Sequence, residues 1–367
     1  MTSNRREILK AGLLGSAVGM VGLPASAAAS NGRERRRSMN LLVLGGTGFI
    51  GPHMVREALR RGHNVTLFNR GRTNNSLFPD LETIKGDRAG DLEGLQGRRW
   101  DVVIDNSGYM PQHVRHSARV LSDNIGQYLF ISTISTYASY AQPNNEDSTL
   151  ATIDDVPEEF SWQNYGALKV LCEQWAAEEV GDDRFTVLRP TYICGPGDHT
   201  DRFTYWPVRT QKGGVMLWPG SAAHPLQLID VRDLANFVVD CVERRTLGTY
   251  NTVTPIGSYT FGNLLEDCQA ITSSTVEPIW IDDAFLAAND VAVPIYHPIS
   301  GEYAHVSSIS GERARTAGLR NRPIRETIRD LMAWWDTLAD ERIANARFEM
   351  TPERETELLA AWTAQGV

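Results

Sequence analysis

The sequence predicts an α/β fold, a doubly wound parallel sheet joined to a smaller C-terminal substrate-binding lobe. Three observations carry this. Short, nearly continuous apolar runs recur along the chain, amphipathic stretches separate them, and a glycine-rich turn closes the first run. The runs are Leu41–Leu44, Val65–Phe68, Val102–Ile104, Tyr128–Ile131 and Thr186–Leu188. Strands apolar on both faces belong to a parallel sheet with helices on each side. Met54–Arg61, Val114–Leu121, Leu168–Glu179 and Leu234–Glu243 read as those helices, in crossovers short enough for repeated strand-helix units. After about Asn251 the rhythm weakens, Pro278, Pro294 and Pro298 punctuate loops, and Pro352–Trp362 reads as a terminal helix. The sheet domain is therefore placed at 40–255, with a substrate loop at about 195–225, and the lobe at 256–367.

Composition narrows the function. A chain of 367 residues, 42% hydrophobic and 22% charged, can bury a large core and fits about two structural units. Its formal charge of −9 offers no global attraction to a polyphosphate backbone, so a small-molecule substrate is expected and nucleic acid is not. Cys172, Cys194, Cys241 and Cys268 lack paired spacing and sit in apolar contexts, which suits buried thiols. His113 and His116 lie three apart on a predicted helix without a third ligand nearby, so no metal is expected. Trp334-Trp335 with Leu331 and Leu338 has helical core spacing.

The first 29 residues read as a leader. Arg5-Arg6 with Leu9-Lys10, an apolar run from Ala11 to Leu23, and Ala25-Ser26-Ala27 resemble a twin-arginine export signal. The apolar run is too short for a stable membrane span. Residues 30–39 read as a solvated linker. The expectation is an exported protein, periplasmic or extracellular, handled by the twin-arginine machinery.

Gly45-Gly46-Thr47-Gly48-Phe49-Ile50-Gly51 follows the first strand and opens a helix. Glycines at that spacing permit a tight turn, close approach of backbone to a pyrophosphate, and close helix–strand packing. The helix start then presents unpaired N–H groups to the phosphates. Dinucleotide binding follows. At the end of the second strand an acid would hold the 2′-hydroxyl of NAD, but Asn69-Arg70-Gly71-Arg72 stands there instead. Arg70 can pair with a 2′-phosphate, which favours NADP over NAD; ligand-free surface arginines are the competing reading. Asp87, after the third strand, reads as an adenine contact or a local cap.

Tyr165-Gly166-Ala167-Leu168-Lys169 sets a tyrosine and a lysine one turn apart on a helix. A neighbouring ammonium favours the phenolate and so suits the phenol to acid/base work. Upstream, Ser132-Thr133-Ile134-Ser135-Thr136-Tyr137 ends a strand in hydroxyls, one of which would bond the reacting oxygen. With these motifs the chain resembles the short-chain dehydrogenase/reductase superfamily and, within it, the extended NAD-dependent epimerase/dehydratase group. Leu188-Arg189-Pro190-Thr191-Tyr192 and Leu228-Ile229-Asp230-Val231-Arg232-Asp233 extend the likeness over about 40–255. The resemblance implies Thr133 as the catalytic hydroxyl, counted back four from Tyr137, Tyr165 as acid/base, and Lys169 as the ribose-binding lysine. It adds Asn106, Ser107 and Pro190 to the cofactor site, beside Gly45, Thr47, Gly48, Phe49, Ile50, Gly51, Asn69, Arg70 and Asp87. It also places the substrate loop over His199, Arg202 and Tyr205.

Two departures matter. The Asp-Glu pair that sugar-nucleotide dehydratases carry after the catalytic threonine is Ile134-Ser135 here, so dehydration is not expected. The sequence also looks like a less typical branch that includes reductases and chloroplast RNA-binding members. The expected chemistry is hydride transfer at a secondary alcohol of a sugar-like substrate, as an epimerase retaining its cofactor or, second, as a reductase or dehydrogenase. An RNA-binding or nucleotide-sensing protein without chemistry is the rival class, and a homodimer is compatible with the sequence.

Overall fold

A computed structural model describes residues 37–365. The export leader at 1–29 and most of the 30–39 linker lie outside the described residues. The chain runs through β1 (Asn40–Leu44), α1 (Ile50–Arg60), β2 (Asn64–Asn69), β3 (Thr83–Lys85), β4 (Trp100–Asp105), α2 (Pro111–Leu121), β5 (Ile125–Ile131), α3 (Tyr165–Val180) and β6 (Phe185–Pro190). It continues through β7 (Tyr192–Cys194), α4 (Tyr205–Gln211), β8 (Gly214–Pro219), β9 (Leu228–Asp230), α5 (Val231–Arg244) and β10 (Gly248–Thr252). Then follow α6 (Phe261–Thr272), β11 (Val276–Ile281), α7 (Asp283–Ala288), α8 (Glu312–Ala317), α9 (Ile324–Trp335), α10 (Asp340–Ala344) and α11 (Pro352–Ala364).

Seven strands form one sheet in the order β10-β6-β5-β4-β1-β2-β3. Every pairing in it is parallel. Leu41 to Leu44 are buried, as the doubly covered sheet requires. On one face Leu41 and Val43 pack with α1 and α5; on the other, Leu42 and Leu44 pack with α2 and α3. The strand order reverses between β1 and β4, and ligands of such sheets bind outside the strand ends at that point.

The second lobe does not begin where the strand rhythm fades. Its core joins Trp206 and Trp218 to Phe261, Leu331 and Trp335, so residues from both sides of the sheet domain's last strand build it. The stretch read as a loop at about 195–225 therefore holds a helix, α4, and a strand, β8, the latter paired in parallel with β11. The stretch is polar at its edges, but Trp206 and Trp218 anchor it inside. Beyond α7, α8 returns to the sheet domain, burying Ala314 and Leu319 there. All four cysteines are free and buried. No described helix is long and apolar enough to cross a membrane.

Candidate active site

The glycine turn is tight on one side and open on the other. Gly45 has a positive φ of 89°, which a side chain would strain. A Cβ at Gly51 would stand 2.5 Å from the Gly45 carbonyl oxygen, so α1 can pack this closely only through a glycine. A Cβ at Gly48 would meet nothing within 4 Å. Apart from the Asn106 amide behind it, no described side chain caps the start of α1, which leaves its other first N–H groups facing that opening. The Asn106 amide closes the rear of the turn. With its nitrogen toward the Gly45 and Leu44 carbonyls it donates to both at 2.9 Å and accepts from the Gly51 N–H at 3.2 Å. Thr47 is buried, its carbonyl accepting from Asn74 at 3.0 Å, and Phe49 meets His53 and His199 edge-on. Ile50 begins α1 and packs on the sheet. An open cradle at the start of a helix fits a dinucleotide pyrophosphate.

Beyond the turn, the Asn69 Oδ1 accepts the Gly71 N–H at 2.8 Å and so fixes the backbone that presents Arg70. Arg70 is exposed and forms no ion pair among the described residues. Asp87 holds its own turn, accepting from the Ala89 N–H at 3.1 Å. Pro190 ends β6 in the buried sheet interior.

Sequence reasoning missed Arg88. Its guanidinium grips Asp105 at the end of β4 through two bonds of 2.7 and 2.6 Å, and a third, of 2.7 Å, reaches the Ser117 hydroxyl. The Tyr128 hydroxyl donates to the same carboxylate at 2.7 Å, and so does the Ser107 N–H at 3.2 Å. These donors hold Asp105 below its usual range despite burial. The network thereby fixes the Asp105-Asn106-Ser107 loop against the glycine turn. The available signal was an acid ending an otherwise apolar strand.

At the end of β5, Thr133 accepts from the Ser135 N–H at 3.1 Å, and its hydroxyl faces the Tyr165 phenol. Ser132, the neighbouring candidate, has a buried hydroxyl with no partner. Gly166 makes this meeting possible: a Cβ there would lie 2.0 Å from the Ser135 carbonyl oxygen. Helix α3 is further pinned by Glu173, which pairs with buried Arg189 of β6 at 2.6 and 3.1 Å.

Lys169 behaves differently from the expectation that its ammonium would lower the tyrosine pKa. It is buried, donates to the carbonyls of Gly108 at 2.9 Å and Ile131 at 2.7 Å, and lies 4.0 Å from the Phe130 ring centroid. Burial lowers its pKa to about 8. The Tyr165 phenol rises to about 12, pushed by burial and by Tyr109, with Thr133 and Arg202 opposing. One turn of helix does bring the two residues to one face, but the strand-end carbonyls capture the ammonium.

Of the three residues assigned to the substrate loop, His199 is exposed against Phe49 and Arg202 is exposed near Tyr165. Tyr205 is not available to a substrate. It is 3% exposed, packed against Trp206 and Phe348 in the lobe core, because it opens α4, whose first turn is apolar and buried. No group of three or more possible metal ligands occurs among the described residues.

The sheet order, the open glycine turn and the hydroxyl–tyrosine–lysine set define a Rossmann fold of the kind found in nicotinamide-dependent epimerases and reductases. Residues 41–118 match the model of the NAD dependent epimerase/dehydratase family. The chain is 28% identical over 213 residues to the chloroplast stem-loop binding protein of 41 kDa b of Arabidopsis thaliana, covering 53% of each. It is 31% identical over 182 residues to a 2-alkyl-3-oxoalkanoate reductase of Stenotrophomonas maltophilia, covering 44% of this chain and 52% of that one. The chain thus spans about half the length of these two relatives. Among solved structures, the UDP-glucuronic acid 4-epimerase of Bacillus cereus in complex with NAD superposes with a TM-score of 0.60 at 14% identity. That match covers 81% of this chain and 99% of the other and is a likeness of fold.

Proposed function

We propose that this chain is a nicotinamide-dependent enzyme that interconverts a secondary alcohol and a ketone on a small molecule, with epimerisation on a retained cofactor as the net reaction. The observation that carries the reading is the Thr133 hydroxyl facing the Tyr165 phenol at the strand ends, beside an open phosphate cradle. The glycine turn and the start of α1 would hold the pyrophosphate, Lys169 the ribose, and Asn106 the backbone between them. The cofactor supplies the hydride acceptor and donor. Tyr165 takes the hydroxyl proton and later returns it, and Thr133 bonds the oxygen as its charge grows. A phenol near pKa 12 is almost wholly protonated at neutral pH, so Tyr165 acts in concert with oxidation and not as a standing base.

NADP is the favoured cofactor, since Arg70 is exposed and unpaired among the described residues, and Asn69 has already committed its carbonyl oxygen to Gly71. Export through the twin-arginine route, resting on Arg5-Arg6, favours a cofactor loaded before export and kept. A reductase is the second reading, favoured by the likeness to the oxoalkanoate reductase. The test is turnover by purified protein without added cofactor, alongside Tyr165→Phe. Steady conversion by the native protein, cut about 1000-fold in the variant, supports retained-cofactor catalysis. A strict need for stoichiometric added NADP(H) makes the reductase reading the better one.

A further inference from the structure

One group of rings borders the Tyr165 phenol, and a second surrounds Arg202 and Tyr192. In the first, the ring centroids of Tyr109, Phe160 and Trp162 lie 6.3, 6.2 and 5.4 Å from that of Tyr165. Trp162 is 74% exposed and Tyr109 45%, although both touch this nearly buried phenol. In the second, the Arg202 guanidinium sits 5.2 Å from the Tyr192 ring centroid. The Tyr192 hydroxyl lies 2.6 Å from His297 Nε2. His297 stacks on Tyr303 at 5.0 Å and 17°, and Tyr303 on Tyr140 at 6.3 Å and 15°. The Tyr140 hydroxyl donates to the Ile134 carbonyl at 2.9 Å, one residue beyond Thr133, so the stack is tied to the same site. Large exposed rings gathered around a reactive hydroxyl gain most from a ligand that removes them from water.

The charges are as selective as the rings. Arg202 acts on Tyr165, Tyr192 and Asp198. Glu349 acts on Tyr192, and Glu302 accepts the Tyr140 N–H at 3.1 Å. His297 is held toward its neutral form by burial. The exposed Arg202 guanidinium, whose Nε donates to the Thr200 hydroxyl at 3.3 Å, keeps its other N–H groups to bind an anionic group.

We propose that the substrate at this site carries an extended apolar flank and one anionic group, as a medium-chain hydroxy acid does. This rests on the hydride-transfer reading of Tyr165. The rings cover the flank, Arg202 holds the anion, and the hydroxyl lies between them against Tyr165 and Thr133.

The experiment measures quenching of tryptophan fluorescence in the full chain with four probes: 3-hydroxydecanoate, its methyl ester, 3-hydroxybutanoate and UDP-glucose. 3-Hydroxydecanoate should bind about tenfold more tightly than each of the others, whether the charge or the chain has been removed. Arg202→Gln should abolish the preference for acid over ester and leave the chain-length preference. Trp162→Ala should do the reverse. Tighter binding of UDP-glucose, or equal binding of acid and ester, overturns the proposal. Nicotinamide absorbance and product chirality are followed in the same samples. If 3-hydroxydecanoate binds as stated but is neither inverted nor oxidised, the hydride-transfer reading fails and the substrate class stands.

Discussion

Arg88 and Asp105 lie buried beneath the β4 loop, tied to each other and to a tyrosine, a serine and a backbone N–H, whereas Trp206 and Trp218 fill the second lobe with indole N–H groups that meet no partner. Arg189 and Glu173 repeat the first pattern under α3, and the unbonded Thr204 hydroxyl repeats the second. Next to the glycine turn the sheet domain thus fixes its interior with directional bonds. The lobe fills its centre with rings, whose burial is strong and tolerant of direction, and keeps the buried carboxylates of Glu355 and Asp201 bonded to Arg209 and Arg342. Precision lies under the cofactor side, and adaptable surface lies toward the substrate.

The sharpest way to break this contrast is to cut one bond in the network. Asp105→Asn leaves the Arg88 charge buried without its counter-ion and should cost about 3–5 kcal/mol of stability. Urea unfolding measures it, and cofactor affinity should fall with it because Ser107 loses its anchor. A loss below about 1 kcal/mol would mean the network does not organise the loop.

Next in size is the buried ammonium. Lys169 has a folded pKa of about 8, against an unfolded value near the usual 10.5. Between those values the unfolded chain holds the proton and the folded chain has released it. Stability should therefore rise with pH across that window, by up to about 3 kcal/mol. Lys169→Met should flatten this rise while abolishing turnover. A native protein with flat stability from pH 8 to 10 would contradict the burial.

Smaller still is the effect of the exposed cation. Arg70→Ala should weaken NADP binding about tenfold and spare NAD, read by titration calorimetry. Equal affinity of the native protein for both cofactors would remove the preference. Smallest, and opposite in sign to the first, is Thr204→Val in the lobe. Removing a fully buried hydroxyl that has no partner should leave stability unchanged or raise it by about 1 kcal/mol in thermal unfolding.

The same division explains what could be read in the sequence. The glycine turn and the tyrosine–lysine helix were legible because backbone geometry fixes their spacing within a few residues. Gly166 lay inside that motif, but its reason, the Ser135 carbonyl, comes from another element. Arg88 was missed because it lies in the turn after β3, 17 residues before its partner Asp105 at the end of β4. The 195–225 stretch read as a loop because β8 pairs with β11, roughly sixty residues later, although its Met216-Leu217-Trp218 run signals a strand. Tyr205 read as a polar loop residue for the same reason. Tyr109, Phe160 and Trp162 carry no mutual spacing in sequence and meet only around Tyr165.

The central claim, that the turn at Gly45–Gly51 is a dinucleotide site serving Tyr165, is best tested at Gly48, where the structure leaves open space. Gly48→Glu puts a carboxylate into the phosphate cradle from a position where a Cβ meets nothing within 4 Å, and NADPH binding is followed by nicotinamide fluorescence. The native protein should bind stoichiometrically, and the variant about 100-fold more weakly with an unchanged thermal midpoint. Equal binding by the two proteins would contradict the account.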